Sequence, residues 1–181
     1  TETMEDIAGI AQLAGKVVDA YYNTPEHKKG CAVSVSVSCA SFIPKPFTPF
    51  QWEPQDTQEM VREKQSHLRE KLHIKGVTFN YHESDLSYLE ACFARGDRRM
   101  GQVLLRAYQK GCMLDGWTEL FKYDMWREAF AELGIDPAFY AYRRREKDEI
   151  MPWDVIDCGV TKEFLWREKE KAEKAQTTKD C

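Results

Sequence analysis

Cys31-Ala32-Val33-Ser34-Val35-Ser36-Val37-Ser38-Cys39-Ala40-Ser41-Phe42-Ile43-Pro44 is where the chain changes from a helical period to a strand period. Val33, Val35 and Val37 alternate with Ser34, Ser36 and Ser38, the period of two that sends successive side chains to opposite faces of a sheet. One face is apolar and the other carries hydroxyls. Upstream, Thr3 precedes Glu5 and Asp6, and Ile7, Ile10, Ala11, Ala14, Val17, Val18 and Tyr21 share one face of a 3.6-residue period. This predicts a capped amphipathic helix over residues 4–22, broken by Lys28-Lys29-Gly30. Downstream, Pro44, Pro46, Pro49 and Pro54 impose an extended, irregular path. Asp56 or Thr57 then caps a helix running to Leu72, with Met60, Val61, Leu68 and Leu72 inward. Val77, Phe79 and Tyr81 alternate with Thr78, Asn80 and His82, a second strand over residues 74–82. Helix, strand, helix, strand is the rhythm of an α/β layer with parallel pairing.

Beyond His82 the strand signals stop. Ser87-x-x-Glu90 is a capping box for a short helix to Arg95, and Gly96-Asp97 interrupts it. Met100, Val103, Leu104, Ala107 and Tyr108 form the apolar face of the next helix, ended by Gly111. Asp124 caps a helix carrying Met125, Trp126, Ala129, Phe130 and Leu133, Asp136-Pro137 opens a short one, and Thr161 starts the last with Phe164, Leu165 and Trp166. The chain therefore divides into an α/β part, residues 1–82, and a helical extension, residues 83–181. Two strands cannot close a barrel and make at best a marginal sheet. With no initiator methionine and a charged tail after Arg167, the expectation is a piece of a larger protein whose other part completes the sheet.

The 181 residues include 43% hydrophobic and 31% charged side chains, enough for a core under a polar surface. A net charge of −4 supplies no overall positive field toward nucleic acid or anionic lipid, so any nucleic-acid contact would have to be local. No apolar run approaches a membrane span and no export signal opens the chain, which reads as cytoplasmic. Cys31, Cys39, Cys92, Cys112, Cys158 and Cys181 lie too far apart for a zinc knuckle or cluster-binding loop. They are expected to be reduced and mostly buried.

Several groups carry candidate chemistry. The hydroxyl-lined strand end from Ser36 to Pro46 suits a polar ligand, because ligands of α/β sheets sit beyond the carboxyl ends of the strands; its alternative is tight packing of small serines. Phe47, Phe50 and Trp52 read as a wall over such a site or as core. Cys39 with His67, His73 or His82 is a conceivable nucleophile pair without local support. His82-Glu83 with Asp85 is an acid/base cluster or a helix entry. Arg95, Asp97, Arg98 and Arg99 read equally as an anion clamp or an interhelical ion-pair network. Arg143-Arg144-Arg145, followed by Glu146, Asp148 and Glu149, reads as a self-neutralising solvated face. No glycine-rich phosphate loop, H-E-x-x-H or nucleophile elbow is present.

Thr1-Glu2-Thr3-Met4-Glu5-Asp6-Ile7 resembles the segment just after the Gly-x-Pro-Gly-Glu-Thr strand of radical S-adenosylmethionine domains. Pro44-Lys45-Pro46-Phe47-Thr48-Pro49 is similar to the Pro-Arg-Pro-Gly-Thr-Pro of methylthiotransferase-like members, with Lys for Arg and Phe for Gly. Val35-Ser36-Val37-Ser38, residues 44–57, Phe93-Ala94-Arg95-Gly96-Asp97-Arg98-Arg99, Asp115-Gly116-Trp117 and Pro152-Trp153-Asp154 resemble one subgroup of this superfamily, which carries a cobalamin-binding-like domain upstream. The likeness extends over nearly the whole chain.

The resemblance implies a partial (β/α)6 TIM-like barrel, of which this chain would hold the last helix-strand unit and a mostly helical extension. It implies an enzyme that binds a 4Fe-4S iron-sulfur cluster through C-x3-C-x2-C and uses it to split S-adenosylmethionine into methionine and a 5′-deoxyadenosyl radical. Ser38, Phe42, Ile43 and Lys45 would then wall the adenine of S-adenosylmethionine. The cluster motif is absent from this sequence, so the chain alone is expected neither to hold the cluster nor to turn over. Its first partner would be the missing N-terminal barrel half of the same polypeptide. The competing expectation is a non-catalytic helical module that docks a protein or RNA through Arg95, Arg98, Arg99 and Arg143 to Arg145. A plain structural cap on a barrel is a third.

Overall fold

A computed structural model describes residues 2–26 and 30–178. Lys28 and Lys29, from the expected helix break, and Cys181 lie outside the described residues. Among those described, seven α-helices accompany a two-stranded parallel sheet that is not closed into a barrel. The chain divides into two compact units, one of Thr1–Ser41 with Thr57–Ser84 and one of Phe42–Asp56 with Asp85–Cys181.

The first unit is an α/β layer. Helix α1 (Met4–Asn23) starts at a capping box, in which the Thr3 hydroxyl accepts from the Asp6 N–H while the Asp6 carboxylate accepts from the Thr3 N–H. Strand β1 (Val35–Cys39) pairs in parallel with β2 (Val77–Tyr81), Val35 opposite Val77 and Ser38 opposite Asn80. The crossover helix α2 (Gln58–Lys71) is capped by the Thr57 hydroxyl. Ile7, Ala11, Ala14, Leu68 and Leu72 are buried, with Val37, Cys39, Val77 and Phe79 packed against them. The expected inward faces hold except at their margins, where Val17 and Met60 are 47% and 45% exposed. Both lie at the edge of a stripe too wide for one thin layer to cover.

The second unit holds α3 (Ser84–Ala94), which begins three residues before the expected Ser87 cap, together with α4 (Met100–Gln109), α5 (Tyr123–Glu132), α6 (Pro137–Ala141) and α7 (Lys162–Glu173). Asp136 and Thr161 cap α6 and α7 as the sequence predicts. Lys122, not Asp124, precedes α5, and Asp124 lies in its first turn. The core gathers Leu89, Cys92, Val103, Ala107, Trp126, Phe130 and Tyr140. A smaller cluster joins Trp52, Met151, Trp153 and Leu165.

The proline-rich segment Phe42–Asp56 is sewn into this unit by main-chain bonds. The Gln55 N–H donates to the Ala141 carbonyl (2.9 Å), the Arg145 N–H donates to the Trp52 carbonyl (2.8 Å), and the buried Gln51 side chain accepts from the Trp153 indole (2.8 Å). Trp52 is thus core, and Phe47 packs beside it.

Helix α4 departs from its expected face. Met100, Val103 and Ala107 are buried, but Leu104 and Tyr108, expected inward, are 55% and 61% exposed. The helix carries a second apolar stripe, Gly101, Leu104, Leu105 and Tyr108, at positions i, i+3, i+4 and i+7. Periodicity cannot rank two apolar stripes on one helix.

Candidate functional site

The alternation of β1 and β2 produces a two-faced sheet. Val35, Val37, Val77 and Phe79 are half-buried on the face covered within the first unit, while Ser34, Ser36, Ser38, Thr78, Asn80 and His82 are exposed on the other. The Asn80 amide donates to the Ser36 hydroxyl across the strands (3.1 Å). Ser38 stands exposed near the carboxyl end of β1, opposite Asn80 in the register. The bare face is therefore a lattice of small donors and acceptors along the strands, and its Ser38, Asn80 and His82 lie at the carboxyl ends where α/β sheets place ligands.

The other three expected cofactor residues belong to the second unit. Phe42 is 56% exposed and meets Phe50 edge to face, with ring centroids 5.8 Å apart. Ile43 packs against the main core, and the exposed Lys45 ammonium pairs with Glu90. Ser38 lies in the first unit, so the structure joins Phe42, Ile43 and Lys45 on one segment of one unit and describes Ser38 separately. Of the four, Phe42 offers an open aromatic face and Ser38 an open hydroxyl.

Comparison with known proteins finds no matching family model, no matching curated protein and no matching solved structure. The site is therefore read from its own residues.

The arginines split into two roles. Arg95 is fully buried: its guanidinium donates to the carbonyls of Glu53, Ala141 (3.3 Å) and Arg143 (2.8 Å). Arg145, also buried, donates to the Arg95 carbonyl (2.6 Å) and lies over the Trp153 ring. Burial, followed by the neighbouring charges of Arg145 and Arg143, pulls the Arg95 guanidinium down to about 10. These two cations hold main chain and present nothing to an external anion. Arg145 thereby departs from the expected solvated face. Arg143 forks onto Glu149, as the expected self-neutralisation of the run has it, whereas Arg144 pairs with Glu53, outside the run. Asp97 binds Arg99 through both carboxylate oxygens and accepts from the Tyr140 hydroxyl (3.2 Å). The Arg99 hydrogen bonds hold its carboxyl down to about 2. Arg98 remains exposed.

The five described cysteines are free thiols. Cys92 and Cys112 are buried, whereas Cys31 and Cys158 are exposed, so burial is not the majority condition. Burial pushes the Cys39 thiol up, away from the thiolate that a Cys/His nucleophile needs, and pushes Cys92 up to about 12. Among the described residues no group of three or more His, Cys, Asp or Glu side chains is placed to hold a metal ion. No helix among them is long and apolar enough to cross a membrane.

Two features escaped the sequence reading. One is the outward stripe of α4. The other is Asp115, whose buried Oδ1 has no hydrogen-bond partner. The signal for the first was present as the spacing 101, 104, 105, 108; no local signal marks the second.

Proposed function

We propose that this chain supplies the closing parallel strands of a radical S-adenosylmethionine enzyme, with the hydroxyl face of its sheet turned toward the cofactor. The observation that carries the reading is the β1-α2-β2 unit. Two parallel strands are covered on their apolar face and bare on their Ser/Thr/Asn face, and two parallel strands with open outer edges make a sheet only as part of a larger one. A second observation supports it. Phe47 occupies the position of the glycine in the resembled Pro-Arg-Pro-Gly-Thr-Pro pattern and has φ +58, the left-handed conformation that glycine adopts without strain.

Among the described residues no three cysteines converge, so those described do not fit an iron-sulfur cluster. In this reading the cluster ligands lie elsewhere in the parent polypeptide, and the cluster and S-adenosylmethionine together supply the radical chemistry. What this chain contributes is binding and exclusion of water. Within the first unit Ser38 offers a hydroxyl to a polar edge; within the second, Phe42 offers an aromatic surface, and Ile43 and Lys45 hold its segment through the core and Glu90.

The test is the complete coding sequence and its product. An in-frame C-x3-C-x2-C upstream, with 5′-deoxyadenosine formed by the anaerobically reconstituted protein and S-adenosylmethionine binding weakened by Phe42→Ala, is the expected result. A start codon immediately before Thr1, or binding indifferent to Phe42→Ala and Ser38→Val, would sink it. The isolated chain is expected to retain no cluster absorbance after reconstitution with iron and sulfide.

A further inference from the structure

We infer that the outward face of α4 is a two-fold interface between two copies of this chain. This does not rest on the cofactor reading. Leu104, Leu105 and Tyr108 on the helix and Met113, Leu114 and Trp117 after it are 55–68% exposed. Most of them line an open groove of about 820 Å3 running from Gly101 to Asp115, with Trp126 in its wall. A helix apolar on both sides is normally covered on both, and a contiguous patch of this kind marks an interaction surface.

Three observations point to a second copy as the occupant. The first is area: six large apolar side chains, each more than half exposed, offer a surface on the scale of the roughly 800 Å2 that one partner brings to a standard-size interface. The second is shape. Gly101 has open space where a side chain would stand, so a facing helix can approach at that end of the stripe. The third is charge. Arg98 stands just before α4, and Asp115 and Glu119 stand after its carboxyl end; among the described residues none of the three side chains makes an ion pair. Other charges nearby are engaged: Arg99 by Asp97, Arg106 and Lys110 by Glu132. A two-fold axis across α4 runs the two helices antiparallel and sets Arg98 of each copy against the acidic end of the other. The surface is complementary to itself, as an isologous interface requires.

The test is sedimentation equilibrium of the full chain, with each variant's far-UV circular dichroism as a check on folding. The expected result is a dimer with a micromolar or tighter dissociation constant. Leu105→Glu, and independently Tyr108→Lys, are expected to raise that constant on the order of 100-fold with the helical signal unchanged. Arg98→Glu is expected to weaken the dimer about tenfold, and adding Glu119→Arg to it to restore most of that loss. A chain that stays monomeric at about 100 µM overturns the proposal, since an interface of this size should associate there. So does a dimer indifferent to both groove variants, which would be joined elsewhere. Failure of the charge exchange to restore the dimer overturns the two-fold geometry.

Discussion

Arg95 ties two distant segments together through main-chain carbonyls alone, Glu53 on one side and Ala141 and Arg143 on the other. Removing it strands the part-buried carbonyls of Glu53 and Arg143 at once and leaves Ala141 to the Gln55 N–H alone. Arg95→Ala is expected to destabilise the protein by about 3–5 kcal/mol, and Arg95→Lys to recover little, because one ammonium cannot span the fork. The readout is the urea midpoint at unchanged slope; a loss under about 1 kcal/mol would contradict the role. Asp97 makes a second residue-scale prediction. Its carboxyl is held down to about 2, against an ordinary value of 3.8, so its stabilising contribution is full above pH 4 and disappears as pH falls toward 2. Allowing for screening around the exposed Arg99, that contribution is about 1 kcal/mol. The stability difference between the native chain and Asp97→Asn should therefore be constant above pH 4 and close at lower pH; a difference that persists to pH 2 would assign it to something other than titration. The sequence made these residues conspicuous as a basic cluster. It could not separate Arg95 from Arg99, because the carbonyls that claim Arg95 come from positions 42 to 48 residues away.

At the scale of elements, what was legible was local. Thr3, Thr57, Asp136 and Thr161 act within two or three residues of themselves; Thr3, Asp136 and Thr161 cap the helices they were expected to cap, and Thr57 is the one of the Asp56/Thr57 pair that caps α2. The period-two alternation, Val with Ser in β1 and Val, Phe and Tyr with Thr and Asn in β2, likewise placed both strands and their faces, which shows in the register of Val35 on Val77. What was not legible depends on distant partners: which of two stripes on α4 is covered, and where Gln51 and Gln55 find theirs. The sheet's register also hangs on one turn. Gly76 sits at φ +84 just before β2; its carbonyl accepts from the Val35 N–H (2.8 Å), and a Cβ there would lie 2.6 Å from the Val33 carbonyl oxygen. Both the left-handed backbone and the close approach demand glycine. Gly76→Ala is expected to cost about 2–3 kcal/mol and to speed amide exchange at Val35. Native-like exchange at Val35 in that variant would show that the strands hold register without the turn.

Over the whole molecule, the two units differ in how much they bury. The helical unit contains side chains with no exposure at all, among them Ala91, Cys92, Val103, Ala107 and Ala129, whereas the first unit rests a two-stranded sheet on Ile7, Ala11, Ala14, Leu68 and Leu72, none fully enclosed. Sub-global opening follows local packing, so regions with thinner cores open at lower free energy. Native-state hydrogen exchange should accordingly show the amides of Val37 and Phe79 exchanging faster than those of Val103 and Ala129. That ordering tests more than relative stability. If the sheet is one end of a longer β-layer, the same strand amides should become protected in the complete polypeptide, where neighbouring strands pair the open edges and cover the serine face. The helical amides should hardly change. Equal protection of both units in the isolated chain would mean that two strands suffice here, and the physical reason for invoking a missing half would be gone.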